Sequence, residues 1–425
     1  MTALHLPSWP LLALWLFWLI QALWAVYNVH RYRDRIRRAD YRSDRRGSNK
    51  AEPFHPSVAL IIAVKGADDR FESHLRAIAS QDYPEYRIIY TVQDEHDPAH
   101  AAIARFIESR ADTFTPSISI ITAGPAQDQG QKVHNLLAAL EHLTDIDTAI
   151  AFADADTVPP NDWLATLIRP LSNEGISVTS GYRWLIPTAS DQAVVPSLPS
   201  RLVSVLNASV ATAQGPGWRS HAWGGSMALL QTTMHEINLA DHWRGSISDD
   251  YQMTRAVRLA GRSLSTVPVL LIPSPVEHTW GSLFAFARRQ YQITRVYSPF
   301  IWLLALFIFT LYTAGWIAAL VAAALQLTGW AWGLIIWGAV ILADLARASQ
   351  RSKLAAKLFG PEAHPQLAPV FTLERFATPV VMALHAVLVL AGATSNTIRW
   401  AGYHYKMRGR QSTNITQRPS TTGNP

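Results

Sequence analysis

The chain has 425 residues, 49% of them hydrophobic and only 16% charged, with a net charge of +6. A soluble domain usually carries about 25% charged residues, and a length like this allows about two or three domains. There is no cysteine, which excludes disulfides, thiolate chemistry and Cys-ligated zinc or iron–sulfur sites.

The first element is apolar. Residues 6–29 ("LPSWPLLALWLFWLIQALWAVYNV") carry no charge and are long enough to cross a hydrocarbon core of roughly 30 Å as one helix. A secretory signal would show a basic start and a small-residue cleavage site. This stretch shows neither, so it reads as a retained anchor. Residues 31–50 ("RYRDRIRRADYRSDRRGSNK") then hold nine basic residues against three acids. Directly after an apolar segment, such a block fits a membrane surface better than nucleic acid. It puts the following region, about 56–295, in the cytoplasm, beneath the inner or plasma membrane of the cell.

From Ser57 strand-like and helix-like segments alternate. "SVALIIAV" (57–64), "RIIYTVQ" (87–93), "SISIIT" (117–122) and "TAIAFA" (148–153) read as strands, and "RFESHLRAIASQ" (70–81), "AHAAIARFIESR" (99–110) and "GQKVHNLLAALEHL" (130–143) as helices. Repeated units of this kind imply an α/β fold, a mostly parallel sheet with helices on both faces. Ligands bind such sheets at the carboxyl ends of the strands. Asp94 follows the second strand and Asp154 the fourth, so both fall on that edge.

"DADTVPP" (154–160) places Asp154 and Asp156 one residue apart at the end of a buried strand. Oxygen-rich pairs suit Mg²⁺ or Mn²⁺, which take one or two carboxylates plus substrate oxygens at phosphate sites. A solvated turn before Pro159 and Pro160, with Asn161 capping the next helix, accounts for the same residues. In "GSISDDYQMTRAVRLAG" (245–261), Ser248 has the place of an N-cap, and Asp249 and Asp250 fall in the first helical turn. There an acid serves the helix dipole, or acts as a general base toward a substrate hydroxyl. Lys132 offers a phosphate contact or a solvated amine. In "FAFARRQYQITRVYSP" (284–299), Arg288, Arg289 and Arg295 have near-helical spacing and suit diphosphate oxygens or lipid headgroups.

Residues 296–343 are again free of charge and fit two spans that break near "QLTGW" (326–330), with Trp residues near both interfaces. A fourth apolar run, 376–398, has His385 as its one titratable group. If it crossed fully, the basic segment "RWAGYHYKMRGR" would lie outside. We therefore expect it to be re-entrant or interfacial, or to pack against the other spans. The polar end, "STNITQRPSTTGNP" (412–425), has the composition of a disordered tail.

These motifs run in a recognisable order: "IIAVKG" (61–66), "QDYPEYRIIYTVQDEHDPA" (81–99), "GQKVHNL" (130–136), "DADTVPP" (154–160), "GGSMAL" (224–229), "SDDYQM" (248–253) and "RRQYQITRVYSP" (288–299). With one N-terminal span and later C-terminal spans, the chain resembles membrane-bound glycosyltransferases of families 2 and 21, and most of all ceramide glucosyltransferase and its bacterial hopanoid-type relatives. The resemblance implies a GT-A (Rossmann-like) catalytic domain with transmembrane helices, a UDP-sugar donor, a Mg²⁺ or Mn²⁺ cofactor and a lipid acceptor. It implies a hexosyltransferase that moves sugar to the hydroxyl of a ceramide, hopanoid or diacylglycerol-type lipid. A processive polysaccharide synthase and a non-catalytic membrane protein that binds nucleotide-sugar or scaffolds partners are the rival readings. Carried over residue by residue, Asp250 is the base with Asp249 supporting it. Asp154 and Asp156 serve the metal and diphosphate. Asp94, Asp97, Lys65, Lys132, Arg289, Gln290, Gln292 and Arg295 belong to the donor site. The family's last motif, Q/R-x-x-R-W, is imperfect here: "RQYQI" (289–293) lacks its Arg and Trp, and "QITRV" (292–296) has Val296 in place of Trp.

The expected organisation is an N-terminal anchor (1–30), a basic cytoplasmic linker (31–55), a glycosyltransferase domain (56–295), two transmembrane helices (296–345), an amphipathic or re-entrant membrane region (346–410) and a disordered tail (411–425).

Overall fold

The computed structural model describes residues 5–46, 54–110, 116–189 and 195–419. The chain forms two compact units: a helical unit of residues 1–40, 184–213 and 275–395, and a sheet unit of residues 41–183, 214–274 and 396–425. The expected domain 56–295 is thus interrupted, because 184–213 and 275–295 belong to the helical unit. The C-terminal residues belong with the sheet.

The strands are β1 (Val58–Ala63), β2 (Tyr86–Val92), β3 (Ser117–Thr122), β4 (Ala149–Asp154), β5 (Val178–Pro187), β6 (Met227–Leu230), β7 (Leu264–Val276), β8 (Thr397–Trp400), β9 (Tyr403–Gly409) and β10 (Ser412–Gln417). The helices are α1 (Trp9–Arg46), α2 (Phe71–Ala79), α3 (Pro98–Glu108), α4 (Gln131–Leu140), α5 (Trp163–Ile168), α6 (Leu198–Ala213), α7 (Gln231–Glu236), α8 (Leu239–Trp243), α9 (Asp249–Leu259), α10 (Trp280–Tyr297), α11 (Pro299–Ala324), α12 (Trp330–Phe359) and α13 (His364–Ala393).

Seven strands make one sheet in the order β3-β2-β1-β4-β6-β5-β7. β3, β2, β1 and β4 run parallel, and β6 is antiparallel to both β4 and β5. The apolar strands read as unbroken hydrophobic runs because both their faces are covered. Val58, Leu60 and Ile62 of β1 join Ile88, Tyr90 and Val92 of β2 in a core with Phe71 and Leu75 of α2. The alternate residues Ala59, Ile61, Ile89, Ile150 and Phe152 point the other way, into a core with Val133 of α4 and Met253 of α9. The register sets Ala63 of β1 opposite both Thr91 of β2 and Asp154 of β4, so the three carboxyl ends finish level.

In the helical unit, α1, α11, α12 and α13 are long and apolar enough to cross a membrane by length and composition. Trp15 and Trp18 of α1 pack where glycines admit them, against Gly333 of α12 and Gly315 of α11. The buried charges of α12 and α13 are paired: Arg347 lies 3.2 Å from Asp344, and Arg351 2.5 Å from Glu374 of α13. Such pairing is what polar groups in an apolar helix layer require.

Two expectations change here. The basic stretch from Arg31 is not a separate linker as far as Arg46, because α1 continues through it. Of the tail, residues 412–417 are strand β10, paired antiparallel with β9, and 420–425 lie outside the described residues. Polar composition hid this hairpin because an edge strand needs few apolar residues: Thr413 is the buried one in β10. Residues 346–410 are the end of α12, then α13, β8 and β9, with α13 bent at Ala377 (φ −118°, ψ 17°) two residues before Pro379.

Candidate active site

The site lies at the carboxyl edge of the parallel strands in the sheet unit. Asp154 is the last residue of β4. The Lys132 ammonium, from the first turn of α4, donates to Asp154 Oδ1 at 2.5 Å and lies 3.0 Å from Asp249 Oδ2. One lysine therefore ties the end of β4 to the start of α9. Burial alone would lower its pKa, but Asp154, Asp249 and Asp250 outweigh that and hold it protonated well above the ordinary range.

α9 begins as its sequence suggests. Ser248 has extended backbone and its hydroxyl accepts from the Tyr251 N–H at 3.3 Å. The same hydroxyl donates to Asp250 Oδ1, which also accepts from the Tyr251 N–H at 2.7 Å. The Trp243 indole holds the Asp249 carbonyl at 2.9 Å. Burial, and then the neighbouring Asp249 carboxylate, push the pKa of Asp250 up to about 6, against the Ser248 hydroxyl, Lys132 and the Tyr251 N–H. A carboxyl tuned this way is suited to take a proton near neutral pH.

Gly224, in "GGSMAL", makes the cluster possible. A Cβ there would overlap Asp249 Oδ2 and sit 2.7 Å from Lys132 Nζ. The segment carrying it is held by the Ala222 N–H donating to Thr254 Oγ1 of α9 and the Trp223 N–H donating to Ser180 Oγ of β5, both at 2.9 Å.

Asp156 stands at the open edge beyond β4. Desolvation by the surrounding protein, then Asp154, raise its pKa, and Arg183 and Lys132 oppose the rise. The turn it sits in is pinned from below. Buried His74 shares a 2.7 Å hydrogen bond through Nδ1 with the Thr157 carbonyl, and burial lowers its pKa to about 4, so the ring stays neutral. Asp154 and Asp156 offer the carboxylate oxygens that a hard divalent ion takes together with diphosphate oxygens, and Lys132 and Arg183 lie near enough to act on the same charges. Among the described residues, no group of three or more His, Cys, Asp or Glu side chains is placed to hold a metal alone.

The remaining candidates separate. Asp97 caps α3, accepting from Ala99 N at 2.9 Å, and also accepts from Gly66 N at 2.8 Å, which joins the turn after β1 to that helix. Asp94 accepts from His96 N at 3.0 Å in a short turn after β2. Lys65 follows β1 on the same edge. Arg289, Gln290, Gln292 and Arg295 lie on α10, in the helical unit. There Gln292 and Arg295 donate to the Ser395 carbonyl at 3.0 and 3.3 Å, and Arg288 to the Ala391 carbonyl at 3.1 Å. These side chains bind carbonyls at and just beyond the end of α13. The sequence reading passed over Arg183, whose guanidinium lies 5.9 Å from the Trp223 ring centroid, and over His74. It also passed over the tyrosines of β9, though the alternation in "GYHYKMRG" carried the strand signal.

The chain is similar in structure to three solved proteins. A mannosyltransferase from Pyrobaculum calidifontis, solved with GDP-mannose and Mn²⁺, is 17% identical with a TM-score of 0.45, over 88% of this chain and 97% of that one. A mycobacterial protein is 14% identical with a TM-score of 0.35, over 57% and 74%. GalNAc-T7, solved with UDP, GalNAc and Mn²⁺, is 10% identical with a TM-score of 0.38, over 56% and 48%. No curated protein matches the sequence. The family model described as Glycosyl transferase family 21 matches residues 13–413, nearly the whole chain. The α/β GT-A fold and the glycosyltransferase activity expected from the motifs are those of this family, and the chain belongs to glycosyltransferase family 21.

Proposed function

We propose that the chain transfers one sugar, with inversion, from a UDP-sugar to the hydroxyl of a membrane lipid of ceramide, hopanoid or diacylglycerol type. The observation that supports this reading is the bridge made by Lys132 between Asp154 at the end of β4 and Asp249, the chain neighbour of Asp250. Asp250 takes the proton of the acceptor hydroxyl. The acceptor oxygen attacks the anomeric carbon from the face opposite the diphosphate, and the electron pair of the broken bond leaves on the diphosphate oxygen. Lys132 and Arg183 offset charge on that leaving group. Asp154 and Asp156 would hold Mg²⁺ or Mn²⁺, which when bound would supply further positive charge to the diphosphate. Asp249 keeps Lys132 in place. Asp94, Asp97 and Lys65 mark the nucleoside end.

The long apolar helices support a lipid acceptor, because they would keep the sheet unit at a bilayer surface on its cytoplasmic side. Among the described residues four helices are long and apolar enough to cross a membrane, few for a polymer-conducting pore, which favours single transfer over a processive synthase. Membership of a glycosyltransferase family weighs against the non-catalytic reading.

The test is UDP release by detergent-purified protein with a panel of UDP-sugars, a mixed lipid extract and Mn²⁺. We expect release that depends on lipid and falls about 10²–10⁴-fold in Asp250→Asn, with a comparable loss in Asp156→Ala. Release that persists in both variants, or that extends polymer and ignores lipid, refutes the assignment.

A further inference from the structure

The C-terminal strands have no part in the roles assigned above, yet they are built against the site's edge. Along β9, Tyr403, Tyr405 and Met407 are buried while Lys406 and Arg408 face out. The Tyr403 hydroxyl donates to Gln93 Oε1, just after β2, and lies 3.2 Å from Gln131 Oε1. The Tyr405 hydroxyl accepts from the Gln131 N–H, at the first residue of α4, at 3.2 Å. The two rings stack with centroids 5.4 Å apart. Gln131 is itself fixed, accepting from Ala126 N at 2.8 Å and donating to Gly124 O at 2.9 Å and Asn135 Oδ1 at 2.8 Å. Over the ring of Tyr403, Lys65 Nζ lies 4.4 Å from the centroid.

We propose that Tyr403 is a positioning residue for Lys65, so that the C-terminal sheet forms a wall of the nucleotide end of the donor site and helps to bind a nucleoside diphosphate. This rests on the donor reading above. A lysine at an exposed edge is mobile and loses much rotamer freedom when a ligand orders it. A ring beneath the ammonium orders it beforehand, which raises affinity. A carboxylate could also hold it. That would cancel the charge a diphosphate needs and add a further negative group to an edge that already carries Asp94, Asp97, Asp154 and Asp156. A ring attracts the cation without either effect. Partial burial lowers the pKa of Lys65, and Asp97 and then Asp94 oppose that, consistent with an ammonium near these carboxylates but held by an uncharged partner.

The experiment is UDP binding to the detergent-purified full chain, with Mn²⁺, by calorimetry, alongside donor KM and kcat. We expect Lys65→Met and Tyr403→Leu each to weaken UDP by about 10-fold, the double variant to be no weaker than Lys65→Met alone, and Tyr403→Leu to raise donor KM more than it lowers kcat. Tyr403→Phe keeps the ring and Tyr403→Trp offers a larger one, and both should stay within about 3-fold of wild type. These two variants decide the matter even if Tyr403→Leu fails to fold. Wild-type affinity in Tyr403→Leu, additive losses in the double variant, or a 10-fold loss in Tyr403→Phe would overturn the proposal. Wild type that does not bind UDP overturns the donor reading, and this inference with it.

Discussion

Replacing Lys132 by Met is the perturbation with the most direct consequence. Its ammonium lies 2.5 Å from Asp154 and 3.0 Å from Asp249, and the three side chains are 18%, 22% and 5% exposed. Removing one partner of a buried ion pair costs about 3–5 kcal/mol, because the other charge is left without compensation. The residual exposure of Lys132 and Asp154 argues for the lower end, about 3 kcal/mol. For a unit of this size roughly 2–4 °C of melting temperature is lost per kcal/mol, so a drop of about 6–12 °C is expected. The assay is thermal unfolding in detergent with a chelator present, so that no divalent ion substitutes for the ammonium. Lys132→Met combined with Asp249→Asn should recover part of the loss, since the more buried orphan is then neutral. A single variant that melts within about 2 °C of wild type, or a double variant less stable than the single one, refutes the bridging role.

Two further outcomes follow from the same cluster. Asp250 must be ionised to accept a proton and its pKa is pushed up to about 6. kcat/KM should therefore fall about tenfold per pH unit below that point and level off above it, and Asp249→Asn should move the break to lower pH; a flat profile from about pH 5 to 8 would remove Asp250 as the base. Gly224→Ala would push a methyl group into the space between Asp249 and Lys132. Displacements of this kind cost about 10² in kcat/KM, and circular dichroism should show the fold retained; full activity would mean that the pair need not be close.

Strands β1, β2 and β4 were legible because they are buried on both faces, and a short continuous apolar run such as "SVALIIAV", bounded by polar residues, is the pattern such burial demands; β5, β6 and β7 were not read. The start of α9 was legible for a local reason, since an N-cap and its first turn are set by adjacent residues. What the sequence could not express was partnership across the chain. Lys132 reads as a phosphate contact or a solvated amine, and only the fold brings it between Asp154 and Asp249. The same holds for the arginines of α10, whose spacing suggests diphosphate while Arg295 lies against the end of α13. Composition misled most at the end of the chain, where a hairpin that buries few side chains looks like a disordered tail.

The position of that hairpin has a consequence for the membrane. The chain leaves the sheet unit after Ser274 and re-enters it at Asn396. The return is real contact: Gln252 of α9 donates to the Arg410 carbonyl at 2.8 Å, and Arg418 to the Ala126 carbonyl at 2.7 Å. A polypeptide that starts and finishes on one side of a bilayer has traversed it an even number of times. Three helices long and apolar enough to cross a membrane lie between those points, and we propose that an even number of them does. α11 and α12 form a natural pair, one out and one back. α13 is then the odd helix, and its bend at Ala377 with Pro369 and Pro379 inside suits a segment that dips or lies flat. On this proposal residues 396–419 share a compartment with Asp154 and Asp250, and labelling of that segment from one side of the membrane checks it.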